Sequence, residues 1–262
     1  MKDRANKRFP CSKQAVAIIL LFLLGGIGLV LCAVFPVNTE DIVLNHLLAG
    51  VLPRLCVCIP LFATMLWKYR LLLKFPRPTL KQWLWLLPPL AVTIVNFPFS
   101  ALIRGTATVT RGDLWWLFAL NCLLIGVTEE WLFRGILLDF FLTISEEKRK
   151  NCFIPVLISS VIFALFHLLN LFDGAGIGEV FLQVGYSFLI GAMLAVVFCK
   201  LRNLWICIFL HSLFDTGGFL VSSLGEGDPQ DLVFWILTAV VGVLCAVYIV
   251  LTLVRLCRKP QK

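Results

Sequence analysis

The chain sets Thr128-Glu129-Glu130-Trp131-Leu132-Phe133-Arg134-Gly135, two adjacent carboxylates and a guanidinium, inside an apolar run from Leu114 to Ile144. Further along, His167, His211 and Asp215 lie in runs that are otherwise apolar. A carboxylate and an imidazole that share a water make a general base and its orienting partner. A second imidazole with a polar neighbour can stabilise the oxyanion of a tetrahedral intermediate. That is the chemistry of hydrolysis by an activated water. A covalent route has less support, because Cys122 is two turns from Glu129 and Ser212 points off the face shared by His211 and Asp215. The expectation is a reaction without a cofactor. Zinc is the alternative, since its usual ligands are imidazole and carboxylate, and Glu129, His167 and His211 are the candidate ligands. No HExxH is present, so the zinc alternative rests on residue type alone.

Spacing within each run divides the roles. Glu130 and Arg134 are i,i+4 and can pair on one helix face, the expected role being a structural ion pair. Glu129 is turned about 100° away and is free to point elsewhere. His211 and Asp215 are also i,i+4, and His167 follows Phe163 by the same interval, so ring and imidazole share a face. Asp139 falls near the end of its run and is given no role, and His46 sits at the outer edge of another. A lone intramembrane histidine is more often a hydrogen-bonded link between helices than a ligand. Glu129, His167, His211 and Asp215 together are too many unpaired polar groups for that reading, because each costs roughly 2.5–3.5 kcal/mol or more in a bilayer.

The elements that must position these groups follow from composition. Of 262 residues, 60% are hydrophobic and only 15% charged, and the mean hydropathy is +0.95. A soluble domain averages nearer a quarter charged, so an all-α polytopic membrane protein is expected, as a single domain over 1–262. Apolar segments near 15–35, 46–67, 82–103, 114–144, 153–170, 179–199, 203–223 and 231–256 predict an eight-transmembrane-helix bundle. Pro88, Pro89 and Pro98 predict a kink in the third. The segment from Ala15 to Val34 is long for a signal-peptide core and reads as a retained first span.

Loop charge tests that count. Lys68, Arg70, Lys74, Arg77 and Lys81, then Lys148, Arg149 and Lys150, then Lys200 and Arg202 occupy alternate loops. Both ends of the chain are basic too, while the intervening loops hold Glu40, Asp41, Asp173, Glu179, Glu226, Asp228 and Asp231. The positive-inside bias then places both termini in the cytoplasm. Only Arg104 and Arg111, between the third and fourth segments, break the alternation. The net charge of +8 comes from these dispersed loops, so nucleic acid is not an expected partner. Ten cysteines, mostly in apolar runs and never as CxxC, indicate no disulfide framework. Counted from the loops at about 1.5 Å per residue, Glu129 lies roughly 25 Å deep, Arg134 roughly 17 Å and His167 roughly 21 Å. His211 and Asp215 lie roughly 12 and 18 Å deep, so three helices bring polar groups to overlapping depths.

These segments resemble the CPBP intramembrane protease family, which contains the type II CAAX prenyl endopeptidases and bacterial immunity-type homologues such as those like lysostaphin resistance protein A. The resemblance covers about 113–220. Glu129 to Gly135 looks like its EExxxR motif, and Ser159 to His167, with Phe163 and His167, looks like its FxxxH motif. Asn203-Leu204-Trp205 followed by His211 to Asp215 looks like its HxxxN/D motif. The resemblance implies a glutamate-type endopeptidase in a bacterial cell membrane, acting on a membrane-associated protein or peptide, in CAAX-type processing or bacteriocin self-immunity. By position, Glu129 with His167 would activate the water, His211 with residue 215 would stabilise the oxyanion, and Glu130 and Arg134 would support them. Residue 215 is Asp here, where the prenyl-protein proteases have Asn. An ionised Asp would repel an oxyanion, so it must be protonated, hold His211, or bind a metal.

Two other functions compete. A non-catalytic immunity or scaffold protein would keep the fold and use none of the chemistry. A proton-coupled transporter would use the same side chains as a relay, but no matched pair of interrupted helices recurs in two halves.

Overall fold

A computed structural model describes residues 39–68, 72–74, 78–147, 152–172 and 174–258. The expected span at 15–35 lies outside them. Helices dominate, in the order α1 (Ile42–Lys68), α2 (Leu80–Val95), α3 (Phe99–Arg104), α4 (Trp115–Glu130), α5 (Asp139–Glu147), α6 (Phe153–Phe166), α7 (Ile177–Leu201), α8 (Leu204–Leu224) and α9 (Leu232–Arg258). Among the described residues six helical stretches are long and apolar enough to cross a membrane, Gly112–Ser145 being the longest at 34 residues. The protein is a multi-pass, all-α membrane protein.

The expected span at 82–103 is broken in two. α2 keeps Pro88 and Pro89 inside it but stops at Val95, and at 16 residues it falls short of the roughly 20 that a spanning helix needs. Pro98 disfavours helical geometry at Phe97, and the chain turns there before α3. The break is docked rather than loose, because the Asn96 amide donates to the Phe214 carbonyl of α8 at 2.7 Å. A capping box starts α2, with the Gln82 amide donating to Thr79 Oγ1 and the Thr79 amide donating to Gln82 Oε1 at 2.7 Å.

One end of the bundle carries the only strands among the described residues. Residues Ala107–Val109 (β1) pair antiparallel with Gly225–Gly227 (β2) in the register Ala107↔Gly227 to Val109↔Gly225. Gly227 has φ 99°, a value glycine adopts without strain. Arg104 and Arg111, the two residues that break the loop-charge alternation, are both neutralised here. Arg111 forks onto Asp41 at 2.9 and 2.7 Å and also reaches Asp113, and Arg104 lies 3.6 Å from Asp231. The Arg111 guanidinium holds the Asp41 carboxyl down at about 2. Asp231 is likewise held below its ordinary value, by the Phe234 amide and the Ser100 hydroxyl.

The opposite end is tied by hydrogen bonds to the start of α8. Asn203 caps α8 by accepting from the Ile206 amide, while its own amide donates to the Lys74 carbonyl at 2.7 Å. Trp205 Nε1 donates to the Leu73 carbonyl at 2.8 Å, and Arg202 pairs with Asp139. Between the two ends α7 forms the axis. Every residue from Ile190 to Cys199 is buried, the signature of an apolar helix covered on all sides. On α1 and α9 the exposed side chains are instead Ile59, Phe62, Ile236, Val243 and Leu244, apolar surface of the kind a bilayer covers.

Candidate active site

The motif-bearing helix does not stay α-helical. α4 ends at Glu130, the eight residues Trp131–Leu138 form a π-helical segment, and α5 continues from Asp139. All eight π residues are buried. π geometry inside an α-helix is found frequently at functional sites. Here it lies directly after the two glutamates.

Glu130 is the hub on the supporting side. Its Oε1 accepts from Arg134 Nη1 at 2.6 Å and from His211 Nδ1 at 2.7 Å, with Glu130 and Arg134 both fully buried. Arg134 also donates from Nη2 to the Gly191 carbonyl at 3.2 Å and lies 4.4 Å over the Phe163 ring. The expected Glu130–Arg134 pair is therefore present, and it does something that spacing did not predict by orienting the His211 ring. With Nδ1 facing Glu130, Nε2 points into the site, where Glu129 Oε2 and Asp215 Oδ2 each stand 3.6 Å away. Both of those oxygens are buried without a hydrogen-bond partner. Two unpartnered carboxylate oxygens around one imidazole nitrogen leave room for a small polar molecule to bridge them.

His167 follows at the end of α6. Its Nδ1 is 3.0 Å from the Phe163 carbonyl, so Nδ1–H donates there and Nε2 is left for another partner. The Phe163 ring stands edge-on between two imidazoles, 5.1 Å from that of His167 and 5.8 Å from that of His211. Gly191 permits this, because a Cβ there would come within 2.8 Å of the Phe163 ring. Gly126 plays the same part between α4 and α8, where a Cβ would collide with Ser212 Oγ.

The structure thus gathers Glu129, Glu130, Arg134, His211 and Asp215 around one point and sets His167 beside them across Phe163. No hydrogen bond among the described residues joins Glu129 to His167. The candidate zinc set of Glu129, His167 and His211 is not gathered as a ligand group, and among the described residues no three His, Cys, Asp or Glu side chains have metal-holding geometry. Glu130 and His211 each lie nine positions from the Asp139–Arg202 ion pair (139 to 130, and 202 to 211). Asp139, expected to have no role, pairs with Arg202 just before α8.

Arg54 belongs to the site's surroundings as well. It lies within electrostatic reach of Asp215 and hydrogen-bonds Asn121 of α4 at 3.3 Å. The signal for it is present in the sequence, a cation well inside an apolar run, but in an earlier span than the three motifs.

Comparison with curated proteins and with solved structures returned no match. A family model described as type II CAAX prenyl endopeptidase Rce1-like matches residues 111–217. That span contains α4, the π segment, α6, α7 and all of the residues gathered above. Over residues 111–217 the chain is thus similar to the type II CAAX prenyl endopeptidases, the family that the three motifs resemble.

Proposed function

We propose that the protein is an intramembrane endopeptidase that hydrolyses a peptide bond with a water held between Glu129 and His167. The observation that carries this reading is the pair of buried, unpartnered carboxylate oxygens of Glu129 and Asp215 around His211 Nε2. Groups held that way inside a membrane are costly unless a substrate or water uses them.

In this mechanism Glu129 takes a proton from the water, whose oxygen adds to the scissile carbonyl carbon. The free Nε2 of His167 orients the water by accepting its second O–H. His211 acts as the imidazolium in this mechanism, its Nδ1–H held by Glu130 and its Nε2–H turned toward the oxyanion of the tetrahedral intermediate. Collapse of the intermediate breaks the C–N bond, and the proton taken up by Glu129 passes to the departing amine. Asp215, whose Oδ2 stands 3.6 Å from the same Nε2, is assigned the protonated form in this mechanism, since an ionised carboxylate would repel the oxyanion. No step requires a metal, and activity measured before and after chelation tests that point. The substrate is a membrane-associated protein or peptide, with CAAX-type processing or self-immunity as the candidate settings.

The direct test compares membrane-associated peptides from cells making the wild-type protein and Glu129→Gln, followed by turnover of a peptide so identified. Glu129→Gln and His167→Ala are each expected to slow cleavage by about a hundredfold or more while the protein stays folded. Near-normal turnover by either purified variant would sink the mechanism. A phenotype retained by both variants would favour the non-catalytic membrane protein of the same fold.

A further inference from the structure

Arg54 lies in α1, twelve residues after Ile42 and fourteen before Lys68, roughly 18 and 21 Å from the two ends at about 1.5 Å per residue. That is the middle of a bilayer-crossing helix, where a guanidinium is kept only for a partner or a function. Its Nη1 donates to the Gly50 carbonyl at 2.8 Å and to Asn121 Oδ1 at 3.3 Å, neither of which carries charge. Among the described residues no carboxylate stands at ion-pair distance from Arg54, whereas Arg104, Arg111, Arg134 and Arg202 each have one. Asp3 is the one acid in the first 38 residues. Among the described residues Nε and Nη2 make no hydrogen bond, which leaves the edge of the guanidinium that suits a planar anion.

Its position relates it to the catalytic groups. α1 and α4 run side by side in the same direction, with Arg54 at Asn121, Cys58 Sγ 3.3 Å from Thr128 Oγ1, and Met65 against Gly135. Asn121 precedes Glu129 by eight residues, about 12 Å along the helix. Arg54 is also within electrostatic reach of Asp215 on α8. Lipid phosphates lie at the edges of the hydrocarbon layer, about 15 Å from its middle, so an anion at this depth has to be carried in by something that occupies the bundle.

We infer that Arg54 is the anion-binding position of the site, receiving a carboxylate that a peptide substrate carries into the bundle, either its chain terminus or an acidic side chain. Arg54 thereby selects which peptides seat beside Glu129. The substrate class rests on the peptidase reading above, so the test measures binding rather than turnover. Purified full-length Glu129→Gln protein in phosphatidylcholine nanodiscs is titrated with three dansylated apolar peptides of equal length. One has a free carboxyl terminus, one is amidated, and one is amidated with a single internal glutamate. A carboxylate peptide is expected to bind about tenfold or more tightly than the neutral one, and the peptide showing the gain identifies the source of the anion. Arg54→Gln should erase the advantage. Arg54→Lys, which keeps the charge and loses the fork, should reduce it, and that variant serves if the glutamine protein does not give a monodisperse peak on gel filtration. Equal binding or no binding of the three peptides overturns the inference. So does an advantage undiminished by both substitutions, which would leave Arg54 a distant counter-charge to Asp215. Failure of the peptidase reading would show separately, as intact peptides after incubation with wild-type protein while the binding difference stands.

Discussion

Glu130 uses one oxygen for two partners: Oε1 accepts from both Arg134 and His211, while Oε2 is buried with none. The carboxylate is thus a positioning residue, coupling a structural cation to the imidazole that faces the site. Removing one member of a buried pair leaves the other charge uncompensated, at a cost of about 3–5 kcal/mol. Arg134→Met also forfeits the stacking over Phe163 and the bond to the Gly191 carbonyl. Its melting temperature in detergent is expected to fall by roughly 6–20 °C. A melt within a degree of the wild type would remove Arg134 from the supporting role. The i,i+4 spacing made this pair legible. The bond from His211 to Glu130 was not, because it joins residues 81 positions apart and depends on how α8 lies against α4.

At the scale of elements, the site depends on two close approaches and one irregular helix. Gly126 lets α8 come near enough for His211 to reach Glu130, and Gly191 lets Phe163 fill the space between the two histidines. Gly126→Leu puts a side chain where Ser212 now lies and must push α4 and α8 apart, an overpacking cost of about 1–3 kcal/mol or more. Peptidase turnover should fall sharply in that variant together with its melting temperature. Gly185→Leu, where an added Cβ meets nothing within 4 Å, should leave both unchanged. Equal behaviour of the two variants would show that the α4–α8 approach does not matter. The π segment at Trp131–Leu138 gives no signal in hydropathy, since its eight residues read as one more stretch of an apolar helix. The break after α2 was half legible. Pro98 announces it, but the anchoring of Asn96 on Phe214 requires α8 to be in place.

Over the whole molecule, ion pairs at one end staple distant segments together. Arg111 joins Asp41 at the start of α1 to the segment before α4, and Arg104 joins α3 to the start of α9. Arg111 lowers the Asp41 carboxyl from its ordinary 3.8 to about 2. A carboxyl whose folded value is depressed contributes stability that is present above its unfolded value and lost as pH falls through the folded one. The melting difference between wild type and Asp41→Asn should therefore hold steady above about pH 5 and close between about pH 4 and 2. A difference that stays constant down to pH 2, or that grows on acidification, would contradict the pairing.

Composition and spacing by themselves determined that this chain is a helical membrane protein and that Glu130 pairs with Arg134. These properties are local, because a run of apolar residues needs a bilayer whatever its neighbours do, and i,i+4 groups meet on any helix. Only the tertiary structure decided that His211 takes its orientation from Glu130, that Asp139 pairs with Arg202, and that Arg104 and Arg111 are neutralised by acids from other loops. Each of these joins elements far apart in the chain, and their relative depth and rotation are set by packing, which no single segment encodes. Thr128 to Gly135 could be recognised as half a centre from the residues alone. Which oxygens stand free in it, and around which nitrogen, required the other helices.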